Sequence, residues 1–146
     1  MEQGGEGGGG WRVADVRWRA VGIGYIIGLL VTLVAGLPLF LLAESSWLLA
    51  LSGLGGLLLG GIVAGRMVGV QLALINGALM GILYYFTTAL TYLAGSFLQV
   101  LPEPLPGLPQ GDSTFFFAWP LAQFVFSVVG ALGGGRIAAE GVRGEV

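Results

Sequence analysis

The sequence predicts an all-α membrane protein whose four transmembrane helices form two parallel-repeat helical hairpins. Three observations carry this prediction. Hydrophobic residues make up 55% of the chain and charged residues only 10%, against about 25% charged residues in a typical soluble domain. The apolar residues form long uncharged blocks, which indicates a lipid surrounding. The segment GGIVAGR (60–66) also returns seventy positions later as GALGGGR (130–136).

The chain opens with a segment that we expect to be a disordered tail, because residues 1–10 (MEQGGEGGGG) offer almost nothing to bury. Residues 11–146 then form one transmembrane domain. Its first part, WRVADVRWR (11–19), combines arginines with tryptophans, a composition typical of the membrane interface.

The first predicted span covers residues 20–42, which hold no charge. At 1.5 Å per residue this stretch is about 35 Å long, enough to cross the bilayer core with some tilt. A cleaved signal peptide is the alternative, since Leu-Leu-Ala before Glu44 resembles a cleavage site. The apolar stretch is longer than the usual 7–15 residues of a signal core, which favours a span.

Three further spans are predicted at 47–65, 74–97 and 115–135. The first two connections, AESS and RMVGVQLA, are short. The third, residues 99–114, carries four of the six prolines, so we expect an extended loop in water. The stretch LPEPLPGLP within it is either a plain connector or a polyproline segment that binds a partner. FFFAWP (115–120) is interpreted as an interfacial anchor.

The arginines predict the orientation. Three precede the first span, Arg66 follows the second, and Arg136 and Arg143 follow the fourth, whereas the other two connections carry only acidic residues. The positive-inside rule places both termini in the cytoplasm. Arg66 and Arg136 are expected to anchor helix C-termini at the inner headgroups, where a cation also complements the helix dipole.

The repeated motif suggests an internal duplication. Gly24-x-x-x-Gly28 in the first span matches Gly77-x-x-x-Gly81 in the third, as the two glycine-arginine motifs match in the second and fourth. Such halves are related by a pseudo-two-fold axis along the membrane normal.

Glycines four residues apart let helix backbones approach closely, which holds helices together in lipid. The predicted packing residues are Gly24, Gly28, Gly61, Gly65, Gly69, Gly77, Gly81, Gly130 and Gly134. In the third span a heptad-like seam runs through Gly77, Gly81, Tyr84, Thr88, Thr91 and Gly95. A glycine-lined pore is the alternative to packing.

The combination of GG-x-x-AGR at the end of the second span, N-G-x-x-x-G from Asn76 to Gly81, and a second glycine-rich turn after the fourth span resembles a family of small four-helix bacterial membrane proteins of uncharacterised function. The resemblance implies a four-span fold in the bacterial plasma membrane. It implies no activity and no site residue.

The residue inventory argues against most catalytic chemistry. The chain has no cysteine and no histidine, which removes thiolates, imidazole bases and the usual transition-metal ligands. No ionisable residue lies inside a predicted span, whereas proton-coupled carriers generally need one there. Six arginines without a basic cluster argue against nucleic-acid binding. We therefore expect neither an enzyme nor a cofactor.

One set of polar residues remains. Counted from the cytoplasmic ends, one polar residue of each span lies about 18–21 Å into the membrane. These are Thr32, Ser52, Thr88 and Gln123. Interhelical hydrogen bonding is the simpler role. The sequence thus favours a non-enzymatic accessory or scaffold subunit that packs against itself or a larger membrane complex, with a small oligomeric channel or solute facilitator built on this polar layer as the alternative.

Overall fold

A computed structural model describes residues 16–43, 46–98 and 113–143, which are helical almost throughout. The first span is built from three consecutive pieces and the other spans from one helix each. The elements are α1 (Trp18–Val31), a π-helical segment (Thr32–Gly36), α2 (Leu37–Ala43), α3 (Ser46–Val68), α4 (Val70–Phe97) and α5 (Ser113–Arg143).

Four helical stretches are long and apolar enough to cross a membrane, which confirms the predicted four-helix membrane fold. They cover Trp18–Leu39, Ala50–Val68, Val70–Thr91 and Ala118–Gly141. The predicted glycine-rich tail and most of the proline-rich loop lie outside the described residues.

The second and third helices are joined far more tightly than predicted. Residues 66–73 were expected to form a loop, yet α3 and α4 are separated by Gly69 alone. Gly69 has a φ of 74°, a left-handed conformation that favours glycine after a helix end. Its N–H donates to the carbonyl of Gly65 at 2.9 Å. A side chain on Gly69 would meet nothing within 4 Å, so Gly69 is a turn residue and its assignment to the packing stripe is corrected.

The π-helical segment of the first span precedes a proline. Pro38 is the second residue of α2 and follows the π-helical segment without a break in the helix. In a regular α-helix its ring would clash with the carbonyl four residues earlier. The wider π-helical turn at Thr32–Gly36 includes the residue four positions before Pro38, so it moves this carbonyl away from the proline ring. Hydropathy alone could not distinguish this interruption from a straight helix.

The order of the contacts gives the helix directions. Gly24 faces Gly60 and Gly28 faces Gly56, so α1 and α3 are antiparallel. The pairs Gly61–Ser127 and Gly65–Ala131 run in the same sense, so α3 and α5 are parallel. Likewise α4 runs antiparallel to α5 and parallel to α1. Helix α3 packs most extensively, on α5 and on α1.

The tightly packed core lies in one half of the bundle. Its buried cluster consists of Val21, Leu57, Ala64, Met80 and Tyr84. We call the half that contains these residues and the Gly69 turn the turn half, and the opposite half, which contains the ends of α2 and α4 and the start of α5, the loop half. The packing that holds the four helices together is concentrated in the turn half.

Candidate functional site

Helices α1 and α3 meet through four glycines. A Cβ atom on Gly24 or on Gly60 would overlap the carbonyl of the other residue. A Cβ atom on Gly56 would overlap the carbonyl of Gly28, and one on Gly28 would lie 3.3 Å from the carbonyl oxygen of Gly56, which is a tight contact. This reciprocal contact brings two backbones together, which suits membrane helices because lipid supplies no hydrophobic drive for their association.

Helices α3 and α5 meet through the two repeated motifs themselves. A Cβ atom on Gly65 would overlap the carbonyl of Ala131, and one on Gly134 would overlap the carbonyl of Ile62. One turn further on, Gly61 lies against the carbonyl of Ser127 and Gly130 against that of Leu58. The contacts of Gly65 and Gly61 therefore have counterparts at Gly134 and Gly130, 69 positions later, which is one fewer than the seventy positions that separate the two motifs in the sequence.

Helices α4 and α5 combine small residues with a hydrogen bond. Gly77 lies against Ala131 and Ser127, and Gly81 against the Cα atom of Phe124. The Ser127 hydroxyl is fully buried and donates to the carbonyl of Gly77 at 2.6 Å. This bond satisfies a polar side chain that would be costly to leave unpaired in hydrocarbon.

Two packing residues of the contact between α1 and α3 were missed in the sequence. Gly56 and Gly60 were not predicted to pack, although Gly56-x-x-x-Gly60-x-x-x-Ala64 was available as a signal. The structure also explains the doublet Gly60-Gly61, because Gly60 faces α1 and Gly61 faces α5. A helix that packs on two partners needs a small residue toward each.

Two hydroxyl pairs join the first span to α4 near the middle of the bundle. Thr32 Oγ1 lies 2.6 Å from the Tyr84 hydroxyl and donates its proton to the carbonyl of Gly28 at 2.8 Å. Tyr84 must therefore be the donor to Thr32. Tyr25 and Thr87 form a second pair at 2.6 Å, and Thr87 donates to the carbonyl of Leu83. Tyr84 is only 1% exposed.

The four residues of the predicted polar layer are placed differently from one another. Thr32 belongs to the hydroxyl pair with Tyr84, and Ser52 is half-buried and has an interaction partner. Thr88 donates to the carbonyl of Tyr85 in its own helix at 2.9 Å. Gln123 is 2% exposed, and its Oε1 atom accepts no hydrogen bond in the described part of the chain. The predicted polar layer did not include Tyr84, which was placed in the seam of the third span and whose hydroxyl contacts Thr32.

The buried side-chain amide of Asn76 connects two helices in the turn half. Asn76 is fully buried, accepts a hydrogen bond from the backbone N–H of Arg17 at 3.0 Å, and donates to the carbonyl of Leu72 at 2.8 Å. The N–H groups at a helix start have no partner within their own helix. Asn76 therefore ties the start of α1 to α4.

The two predicted anchor arginines are both exposed. Arg66 lies in the last turn of α3, as expected of a helix end. Arg136 does not end its helix, because α5 continues to Arg143; the expectation that it marks a C-terminus is corrected. Apolar length sets how much helix can lie in lipid, and a helix can continue into water once the apolar stretch ends.

No group of three or more histidine, cysteine, aspartate or glutamate side chains comes together among the described residues. No family model, curated protein or solved structure matches the chain.

Proposed function

We propose that this chain is a non-enzymatic integral membrane protein of the bacterial plasma membrane, an accessory or scaffold subunit that packs against itself or a larger membrane complex. The single observation that carries the proposal is the closed turn half. Reciprocal glycine contacts join its backbones around Leu57 and Met80, which are both fully buried. A path for a solute through one copy would have to open these contacts, whereas a rigid subunit benefits from them.

We further propose that the chain is a doubled helical hairpin, with both termini in the cytoplasm. The reciprocal contacts between α3 and α5, 69 positions apart, support an axis along the membrane normal. The exposed Arg66 and Arg136, on parallel helices, support a cytoplasmic turn half.

Site-specific photocrosslinking in native membranes tests the subunit role. A photoreactive residue at Leu59 or Val129, which are 48% and 54% exposed, should give a discrete protein adduct from at least one position. The same residue at Leu57, which is fully buried, serves as the matched control on α3. Only lipid adducts at every exposed position would contradict the proposal.

The orientation is tested separately with single cysteines in this cysteine-free chain. A membrane-impermeant thiol reagent applied to intact cells should label a cysteine at position 113 and spare one at position 8. The opposite pattern would invert the topology.

A second function, a small oligomeric channel or solute facilitator, is favoured by one observation. The Gln123 oxygen is buried and has no hydrogen-bond donor among the described residues. Solute flux into vesicles reconstituted with the protein, abolished by Gln123→Leu while the variant stays folded, would favour this role over the first.

A further inference from the structure

Two exposed arginines occupy equivalent places on parallel helices in the turn half of the bundle. They are Arg66 on α3 and Arg136 on α5. Gly65 and Gly134, at which these two helices touch through their backbones, stand one and two residues before them in the sequence. The two arginine side chains therefore start at about the same level of the bundle, on helices that are in direct contact.

An exposed apolar side chain directly follows each arginine. Met67 is 50% exposed and Ile137 is 48% exposed. A helix end that lies wholly in water has no need of such residues, whereas cations beside apolar side chains are typical of the boundary between hydrocarbon and headgroups. Both arginines therefore lie at the membrane interface rather than in bulk water.

Both arginines also lie inside stretches that are apolar enough to cross a membrane. These stretches are Ala50–Val68 and Ala118–Gly141, so Arg66 is two residues and Arg136 five residues from the end of its span. A charge close to hydrocarbon is costly unless an anion compensates it. Neither arginine forms an ion pair with a residue that the structure describes, including Glu140, one turn after Arg136. The compensating anion must therefore come from outside the described chain.

The phosphate of a lipid headgroup is the anion that a membrane supplies at this level. A planar guanidinium donates paired N–H groups whose spacing matches two phosphate oxygens. Basic residues next to transmembrane helices attract anionic headgroups. Because an arginine side chain is long and flexible, two of them that start at one level on touching helices can reach one headgroup.

We propose that Arg66 and Arg136 jointly bind the phosphate of an anionic phospholipid in the leaflet at the turn half. The site favours a lipid with a net negative charge over a zwitterionic one, because a choline group would bring a further cation close to two guanidinium groups. The binding site goes beyond the scaffold role, and it belongs to the turn half in either orientation of the chain.

Lipid titration of the purified full chain in neutral detergent micelles tests the site. Phosphatidylglycerol should raise the unfolding temperature in a concentration-dependent manner, because a ligand that binds only the folded state stabilises it. Phosphatidylcholine at the same mole fraction should give a clearly smaller shift. The dependence of the shift on mole fraction gives an apparent affinity for each lipid. Equal shifts for the two lipids would overturn the proposal.

Variants that remove one charge at a time identify the arginines. Arg66→Gln combined with Arg136→Gln should weaken the apparent affinity for phosphatidylglycerol at least about tenfold, because each guanidinium donates charged hydrogen bonds. Each single variant should have an intermediate effect. A loss carried entirely by one arginine would overturn joint binding.

Arg19→Gln is the matched control, because Arg19 is an exposed arginine at the same end of the bundle, on α1. At about 0.15 M salt, which screens diffuse attraction between exposed charges, this variant should change the affinity less than about twofold. A loss as large as that of the double variant would mean that headgroups are attracted by the positive end as a whole, which would overturn the site.

A soluble phosphate distinguishes a lipid site from a site for a free anion. Glycerol phosphate carries the phosphate of the headgroup without acyl chains, and it should not stabilise the protein at the concentration at which phosphatidylglycerol does. Equal stabilisation would overturn the lipid assignment. All of these measurements use isolated protein, so their failure would leave the scaffold function standing, whereas the crosslinking of a protein partner tests that function alone.

Discussion

Gly65 and Ala131 lie so close that the carbonyl of Ala131 occupies the place of a side chain on Gly65. Gly134 and Ile62 repeat this relationship in the opposite direction. The two glycine-arginine motifs are thus the two sides of one interface between parallel helices. Small residues are what such an interface requires in lipid, because dispersion contacts between backbones replace the hydrophobic effect.

Gly65→Ala is expected to destabilise the folded protein in detergent by about 1–3 kcal/mol, because the new methyl group forces α3 and α5 apart. Gly55→Ala in the same helix is the control, since a Cβ atom there meets nothing within 4 Å and helix propensity favours alanine by up to about 1 kcal/mol. Thermal unfolding followed by circular dichroism compares them. Equal stability of the two variants would refute the close contact.

The second motif should respond like the first. Gly134→Ala is expected to lower the unfolding temperature about as much as Gly65→Ala, because each methyl group meets a carbonyl of the partner helix. Gly133→Ala is the neighbouring control, with open space at its Cβ position. A loss of stability at Gly65 without a loss at Gly134 would argue against the doubled hairpin.

The neighbouring Gly135 belongs to a different contact. It lies against the backbone of Val70 in α4, so Gly135→Leu would test the packing of α5 on the start of α4.

The Thr32–Tyr84 hydrogen bond should contribute a modest coupling energy. A double-mutant cycle with Thr32→Val and Tyr84→Phe is expected to give about 0.6 kcal/mol, the average for such bonds between membrane helices. Reversible unfolding in mixed micelles measures the four free energies of unfolding. A coupling indistinguishable from zero would mean that the two hydroxyls are not paired in the membrane.

Asn76→Leu should leave the backbone N–H at the start of α1 without its hydrogen-bond acceptor. The variant removes the acceptor of the Arg17 N–H group, so we expect faster hydrogen exchange at that amide and a loss of about 1–3 kcal/mol from the unpaired donor. Gln71→Leu is the control, because Gln71 is an exposed amide on the same helix. Unchanged exchange at residue 17 in the Asn76 variant would contradict the assigned bond.

Two buried polar residues of α5 should respond in opposite directions. Gln123→Leu is expected to leave stability unchanged or raise it, because the buried Gln123 oxygen has no donor among the residues that the structure describes and an apolar side chain removes its desolvation cost. Ser127→Ala should lower stability by about 1 kcal/mol, because it removes the bond to the Gly77 carbonyl. Marked destabilisation by Gln123→Leu in lipid would reveal a donor that reaches this oxygen in the membrane.

The sequence by itself determined the spans. Long uncharged apolar stretches must be helical in lipid, because every backbone donor and acceptor there needs a partner within the segment. Hydropathy therefore predicted four helices but neither the end of α3 at the left-handed Gly69 nor the π-helical segment within the first span.

The tertiary structure decided which residues pair. Glycine spacing predicted close packing in general, yet the assignment of Gly60 to α1 and Gly61 to α5 depends on where both partner helices lie. The same holds for the polar layer, since depth along a helix does not specify the direction in which a side chain points. Thr32 therefore meets Tyr84, whereas Thr88 bonds to its own helix. The spacing of residues along a helix predicts which of them share one face, but only the packing of all four helices determines which faces contact each other.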